Sequence, residues 1–425
     1  MAGASRAERP RLALLSLGCR VSRADLDAAA AALASTCALA APGERADLVL
    51  VQTCTVTNGA DQAARKAVRR AAREHPGARI VVAGCYAEVS PEACRALPGV
   101  AAVVGTLGGG VAGVVRRLVG TGEPLAAAPP VPARHTRAFL KVQDGCDAGC
   151  AYCVLPRARG RPRSLPLEEA LSQVAALGRA SREVVLAGIH LGHYGRDLAP
   201  RRTLSELVAR AALDGLAHRL RLSSIEPLEA PLELFRGPAA PRLCDQLHLP
   251  LQSGSDRILA AMRRPYRAAG WARVVDQAAA LLPGGNLGAD VMVGFPGETD
   301  ADHRATVRLL EASPLTYLHV FTFSPRAGTP AAGLPGAVRG GVARERAAEL
   351  LALSRRRVRA FLAAQKGRRL EVVVERVGEG GSEGTARSGI PVRWAGGDAA
   401  RGELAQVDVT DSDGERCLGL GRGTP

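Results

Sequence analysis

The sequence predicts an α/β protein in three parts. These are an N-terminal parallel-sheet α/β domain over 10–120, a central partial barrel of six βα units over 137–360, and a small all-β barrel over 366–425. Three observations carry this reading. Strand-like and helix-like segments alternate twice along the chain, which is the pattern of parallel sheets covered by helices. The stretch 121–136 (TGEPLAAAPPVPARHT) is rich in Pro and Ala, lacks periodicity, and reads as a linker. Beyond Lys366 the pattern changes to short strands separated by Gly-rich turns, which suits a small β-barrel. A chain of 425 residues has room for this many cores.

In the first part LALLSLG reads as a buried strand and ADLDAAAAALAS as a helix. ADLVLVQTC, ARIVVAGC and AAVVGT read as further strands. NGADQAARKAVRRAAREH and the segment around VAGVVRRLV are the intervening and closing helices. The central part has six strand-like runs: AFLKVQDG, EVVLAGIH, RLRLSSIE, QLHLPLQ, LGADVMVGF and YLHVFTFS. Helical sequence such as LPLEEALSQVAALGRAS and DADHRATVRLLEAS follows them. Function in such sheets sits at the strand carboxyl ends. In the last part RRLEVVVERV, TARSGIPVRWAG, GELAQVDVTDS and ERCLGLG read as strands.

The chain is 47% hydrophobic and carries a net charge of +15, almost all of it from Arg, since Lys occurs only at Lys66, Lys141 and Lys366. This charge points to a polyanionic partner, nucleic acid foremost. The apolar runs are broken by Arg, Gly or Pro before they reach the length of a membrane span. The short LALLSL run has no signal cleavage site after it, and a cytoplasmic protein is expected. Ten cysteines in such a compartment favour metal or redox work over disulfides.

Six of them fall into two triplets. Cys146, Cys150 and Cys153 form a compact C-x3-C-x2-C run just after a strand. Cys19, Cys54 and Cys85 each close a successive N-terminal strand, so a parallel sheet brings them to one edge. Thiolates are soft anionic donors, and three of them leave one iron of a four-iron cluster open. A zinc knuckle needs a fourth ligand nearby, and no partner pair follows Cys153. Cys37, Cys94, Cys244 and Cys417 read as structural thiols. His190, His248 and His319 lie near strand ends and are expected to be packed or hydrogen-bonded, not metal ligands.

At the compact triplet, with Tyr152 before its last cysteine, the chain resembles the radical S-adenosylmethionine superfamily. QDGCDAGCAYCVLPRARGRPRS, EVVLAGIHLGHYGRDL, RLRLSSIEP, LHLPLQSGSDRIL, DVMVGFPGETDADH and HVFTFSPRAGTPAA narrow this to the methylthiotransferases. The three N-terminal cysteines agree. The resemblance covers essentially the whole chain. It implies an auxiliary-cluster domain, a radical SAM domain and a terminal TRAM barrel that binds RNA. It also implies two [4Fe-4S] clusters and S-adenosyl-L-methionine. One cluster reductively cleaves the cofactor to a 5′-deoxyadenosyl radical, and the other presents the sulfur to be methylated and transferred.

Under that resemblance Cys146, Cys150 and Cys153 hold the radical cluster, and Cys19, Cys54 and Cys85 the auxiliary one. Tyr152, Gly188, Glu226, Gln252, Ser253 and Gly294 are expected to meet the cofactor. Arg157 and Arg159, with Arg161 and Arg163, are expected to meet RNA phosphate or an acidic cofactor group. Arg368 and Arg369, with Arg355, Arg356, Arg357 and Arg359, are expected to line a basic approach for RNA. SSIEP and IHLGHYGRDL resemble the branch that methylthiolates C2 of N6-threonylcarbamoyladenosine at tRNA position 37. The alternatives are the isopentenyladenosine tRNA branch, the ribosomal-protein aspartate branch, and an iron–sulfur redox-sensing RNA-binding protein. The expected partners are a tRNA anticodon loop, a low-potential electron donor of flavodoxin or ferredoxin type, and a sulfur donor. Ser22, Arg23 and Gln52 replace residues that are usual in the family beside the auxiliary cluster.

Overall fold

The structure is a computed structural model, and it describes residues 9–41, 43–107, 110–120 and 136–422. All but Thr136 of the expected linker lies outside them. The chain divides into two compact units. One comprises the residues up to 133 with Gly145–Asp147 and Val154–Arg161; the other comprises Arg134–Asp144, Ala148–Cys153 and the chain from Pro162 onward.

The first unit holds a sheet of β1 (Arg11–Ser16), β2 (Ala38–Leu39), β3 (Leu48–Thr53), β4 (Arg79–Gly84) and β5 (Val100–Val104), in the order β2-β1-β3-β4-β5. All its pairings are parallel. β2 was not expected: two residues are too few to show a period, and Ala38 and Leu39 pair with Arg11 and Leu12. β3 is central and buried throughout, which is why it reads as an unbroken apolar run. Its alternate residues face opposite ways. Val49 and Val51 pack with Ala64, Val68 and Ala71 of the helix Asn58–Glu74. Leu48 and Leu50 pack with Leu26 and Leu33 of the helix Arg20–Leu33. Thr57 caps the Asn58–Glu74 helix by accepting from the Ala60 amide.

The second unit begins with the six expected strands, β6 (Arg137–Asp144), β8 (Glu183–Gly188), β9 (Arg219–Leu222), β10 (Gln246–His248), β11 (Asn286–Val293) and β12 (Tyr317–Thr322), plus a two-residue β7 (Arg163–Ser164). They form a half-barrel of two sheets, β7-β6-β8-β9 and β10-β11-β12, linked by a bridge between Leu220 and Leu243. Val184, Leu186, Leu220, Leu247, Ala289, Val291 and Leu318 belong to the large core shared with the covering helices. The inner face is polar where the strands begin, because the first residues are Arg137, Glu183, Arg219, Gln246, Asn286 and Tyr317. Glu183 is fully buried between Arg219 (2.8 Å) and Arg221 (2.6 Å).

β13 (Arg369–Gly378), β14 (Gly381–Ala386), β15 (Pro391–Ala395), β16 (Leu404–Ser412) and β17 (Cys417–Arg422) close a barrel in the order β13-β14-β15-β17-β16. Val372, Val374, Val392, Trp394, Val407 and Val409 fill it. TARSGIPVRWAG is not one strand. It spans the end of β14, a turn with Gly389 at φ +79°, and β15, which starts at Pro391 where no ladder donor is needed. That turn seals the amino end of the half-barrel. Arg219 donates to the Thr385 carbonyl (2.9 Å), Arg221 to that of Ala386 (3.1 Å) and Asn286 to that of Ser388 (2.8 Å).

Candidate functional site

Cys19, Cys54 and Cys85 stand at the carboxyl ends of the neighbouring strands β1, β3 and β4. Cys19 precedes the helix Arg20–Leu33 and Cys85 opens the short helix Cys85–Val89. Gly84 makes the second turn possible: its φ is +99°, and a Cβ there would lie 2.6 Å from the Thr53 carbonyl oxygen. Burial pushes the Cys85 thiol up to about 11; Arg159 opposes this, and Cys54 and Cys19 add to it. Burial also raises Cys54, whose sulfur is met by the amides of Val56 and Thr55.

Arg159 is where the structure departs most from expectation. It is 1% exposed, and its Nε donates to Cys85 Sγ at 3.1 Å while its Nη1 donates to Asp25 at 2.7 Å. Buried inside the first unit, its guanidinium is turned to the Cys85 sulfur and not to the surface. Periodicity gave no signal for this, because Arg159 ends a five-residue helix, Leu155–Arg159, remote in sequence from Cys85. Arg157 is exposed, as are Arg161 and Arg163. Ser22 is buried, with Oγ 3.8 Å from Cys19 Sγ. Gln52 is buried beside the Gly84 bend.

In the second unit the cluster loop is pinned on both sides. The Ala151 amide donates to the Met262 carbonyl (3.0 Å), and the Ala331 amide donates to the Ala151 carbonyl (2.8 Å). Ala151, Ile258, Met262, Phe295 and Ala331 form a small dry core with Tyr152 and Phe323 against it. Arg264, missed in the sequence, is the charged centre of this region. Its Nη1 donates to Cys150 Sγ at 3.2 Å, and its Nη2 pairs with Glu226 and reaches the Tyr266 hydroxyl at 2.9 Å. The Tyr152 hydroxyl is 3.4 Å from Nη1, and burial holds its proton on. Cys146 is described with the first unit, where its amide donates to the Gly160 carbonyl at 3.1 Å.

The other expected contacts separate into two groups. Gln252 has a φ of +69°, rare for a non-glycine residue, and its backbone bridges to Asp290 and Met292. Glu226 is engaged by Arg264. The remaining three also make close contacts within the chain. A Cβ at Gly188 would lie 2.9 Å from Leu191 Cα, and one at Gly294 would lie 2.8 Å from the Ala343 Cβ. The Gly294 amide donates to Glu298, and the Ser253 hydroxyl is fully buried, within reach of Thr306 and the Ser255 amide. Arg357 likewise donates to the carbonyls of Leu310, Ser313 and Leu315, ending the Asp300–Ala312 helix. Arg368 and Arg369 are exposed, Arg369 paired with Asp408 at 2.9 Å.

The donor sets suit iron–sulfur clusters. All ten cysteines are free thiols, and each unit aims a buried guanidinium at a ligand sulfur, a charge-assisted bond that favours the thiolate.

Comparison with known proteins agrees. Residues 140–310 match the Radical SAM superfamily and residues 11–105 match the Uncharacterized protein family UPF0004. The threonylcarbamoyladenosine tRNA methylthiotransferase MtaB of Bacillus subtilis is 37% identical, over 78% of this chain and 77% of its own. The ribosomal protein uS12 methylthiotransferase RimO of Desulforudis audaxviator is 36% identical, over 87% and 86%. The tRNA-2-methylthio-N(6)-dimethylallyladenosine synthase of Frankia alni is 34% identical, over 87% and 80%. Among solved structures, the radical S-adenosylmethionine methyltransferase TsrM of Kitasatospora setae shares the fold, with a TM-score of 0.54 at 15% identity over 76% of this chain and 77% of that one. Two cysteine triplets at strand carboxyl ends, a half-barrel and relatives of this closeness lead to one conclusion: the chain belongs to the radical S-adenosylmethionine methylthiotransferase family.

Proposed function

We propose that this methylthiotransferase acts on C2 of N6-threonylcarbamoyladenosine beside a tRNA anticodon. The observation that carries the branch is a contact. IHLGHYGRDL, one of the two strings that resemble this branch, meets Glu229, which lies two residues beyond the other, SSIEP. Its carboxylate lies 2.8 Å from His190 Nε2, 3.0 Å from His193 Nε2 and 2.9 Å from Arg196. Gly192 is what lets them close, since a Cβ there would sit 2.4 Å from the Glu229 carboxylate. The Bacillus subtilis relative supports the same branch.

The target C2–H is not acidic, so general acid–base groups have little purchase on it. When bound, the clusters and S-adenosylmethionine supply radical and sulfur chemistry that side chains lack. The chain's own residues bind, orient and exclude water. The two cysteine triplets ligate, Arg159 and Arg264 offset thiolate charge, and the dry core under Tyr152 shields the cluster loop. The exposed arginines Arg355, Arg356, Arg359, Arg368 and Arg369 offer counter-charge to RNA phosphates. An adenosine in a single-stranded loop needs no extraction from a duplex.

The test is mass spectrometry of tRNA nucleosides from a strain lacking the gene. Loss of the 2-methylthio form of threonylcarbamoyladenosine, with restoration by the wild-type chain, is expected. An unchanged level of that nucleoside refutes the branch. Loss of the isopentenyl product, or of the modified aspartate in the ribosomal protein, assigns the chain to another branch instead.

A further inference from the structure

The inner face of β10, β11 and β12 carries three metal-ligating side chains that the proposed reaction does not use. Leu247, Ala289, Val291 and Leu318 turn into the core. Alternation therefore places His248, Asp290 and His319 on the opposite face of adjacent parallel strands, with Asp290 in register with His319. We propose that His248, Asp290 and His319 form a binding site for one divalent transition-metal cation inside the half-barrel.

The geometry is that of a two-histidine, one-carboxylate set. His248 Nε2 lies 2.9 Å from Asp290 Oδ1, His319 Nδ1 lies 3.4 Å from the same oxygen, and the candidate ligand atoms all fall within 4.8 Å of one another. Donors at about 2.1 Å from one ion stand about 3.0 to 3.4 Å apart, depending on its geometry. Imidazole with carboxylate suits zinc, iron, cobalt and nickel.

His248 supplies a second, independent pointer. The residue is only 5% exposed, its Nε2 is buried, and despite the short separation from Asp290 that nitrogen makes no hydrogen bond. Its other nitrogen is held by the Tyr317 hydroxyl at 3.0 Å, which also accepts from Gln246 Nε2 at 3.1 Å. This is how proteins orient a ligating imidazole, with one nitrogen anchored and the other aimed at the ion. Gly288 makes room for the anchor, since a Cβ there would fall 2.0 Å from a Tyr317 ring carbon. The His319 side chain is 57% exposed, which leaves one side of the site open to water or another oxygen donor.

The second cluster of this kind behaves differently. His190, His193 and Glu229 also converge, but Arg196 sits 2.8 Å from His193 Nε2 and 2.9 Å from Glu229. A resident guanidinium occupies the place a metal cation would take. His248 and His319 instead pack beside the Tyr317 ring, whose hydroxyl is held by Gln246.

The proposal is independent of the tRNA branch and is tested on the intact, iron-loaded protein. It would be dialysed anaerobically against zinc ions, washed, and assayed for zinc and iron together. About one zinc per chain is expected at unchanged iron, since a single tetrahedral or octahedral ion satisfies the three ligands. His319→Ala, which removes an exposed side chain, and Asp290→Asn should each lose that zinc while keeping their iron. Tyr317→Phe should weaken retention by on the order of 10- to 100-fold through the lost anchor. Zinc uptake matched by iron loss would place the metal at the cysteines and overturn the proposal. So would wild-type protein that retains no zinc, or equal retention in His319→Ala and Asp290→Asn.

Discussion

The two cysteine triplets use the same accessory device and reach it by opposite routes. In the auxiliary site the ligands come from three strands, and the parallel sheet makes them neighbours. In the radical site the ligands come from one loop, and the half-barrel pins that loop in place. Each has a buried arginine donating to one ligand sulfur, Arg159 to Cys85 at 3.1 Å and Arg264 to Cys150 at 3.2 Å. Each arginine is fixed by a carboxylate, Asp25 or Glu226. The surroundings differ. Arg159 is held by Asp25, and Arg264 is held by Glu226 together with the hydroxyls of Tyr152 and Tyr266, 5.0 Å from the centre of the Tyr266 ring. Hydrogen bonds and charge at cluster sulfurs set reduction potential. The comparison therefore teaches that the two centres are tuned by separate residues, one set per unit.

The largest effects should come from the ligands themselves. Cys54→Ala should lower iron from about eight to about four per chain, abolish methylthiolation and leave some reductive cleavage of S-adenosylmethionine. Cys150→Ala should abolish both activities. A folded Cys54→Ala protein that cleaves no cofactor would break the separation of roles.

The arginines sharpen it. Arg159→Lys and Arg264→Lys retain a charge but lose the planar fork. Potentiometric titration followed by electron paramagnetic resonance should show the auxiliary centre moving to more negative potential in the first variant and the radical centre in the second. Activity in each should fall on the order of 10- to 100-fold, as for other outer-sphere partners of metal ligands. Both potentials moving in both variants would mean that the centres are not tuned independently.

A third pairing serves as the control. Glu183 lies between Arg219 and Arg221 at the amino ends of the strands, where the turn before β15 seals the half-barrel. Against full burial, the two guanidinium groups, with Arg221 foremost, bring its carboxyl down from 4.5 to about 2. A depressed carboxylate stabilises the fold above its unfolded value. That stability is lost as pH falls from about 4.5 through about 2, and amounts to roughly 3 kcal/mol. Glu183→Gln removes the carboxylate that faces buried Arg221, while Arg219 keeps Glu371 at 3.2 Å, and should cost about 3–5 kcal/mol by denaturant unfolding of the apoprotein. It should flatten the acid limb of the stability curve and leave both cluster potentials in place.

Much of this was legible in the sequence, for physical reasons that can be named. The six half-barrel strands announced themselves because their outward residues, such as Val184 and Leu186, are apolar and their breaks are marked. The two cysteine triplets were legible, one from its compact spacing after a single strand and the other because each of its cysteines follows a strand. What stayed hidden depends on proximity without local pattern. Arg159 ends a short helix and Arg264 follows one, and nothing near them in sequence names Cys85 or Cys150 as a partner. β14 was obscured because Gly381 and Gly384 read as a turn, whereas Gly384 is needed where the strands crowd: a Cβ there would lie 2.1 Å from the Val373 carbonyl. The contacts that Gly188, Gly294 and Ser253 make within the fold could not be read from residue type either.

The smallest expected effect lies beside Cys19. Ser22 stands where the family usually has a longer amide side chain, and its hydroxyl lies 3.8 Å from Cys19 Sγ, at the limit for a bond to sulfur. Gly18 permits this approach, since a Cβ there would lie 2.3 Å from the Ser22 side chain. A neutral hydroxyl at that distance perturbs a thiolate far less than a guanidinium at 3.1 Å, because charge-assisted bonds are about twice as strong as neutral ones. Ser22→Ala should therefore shift the auxiliary potential in the same direction as Arg159→Lys but by a smaller amount, with iron content unchanged. A larger shift from Ser22→Ala would mean that Cys19, and not the Cys85–Arg159 pair, is the ligand through which this chain tunes its auxiliary centre.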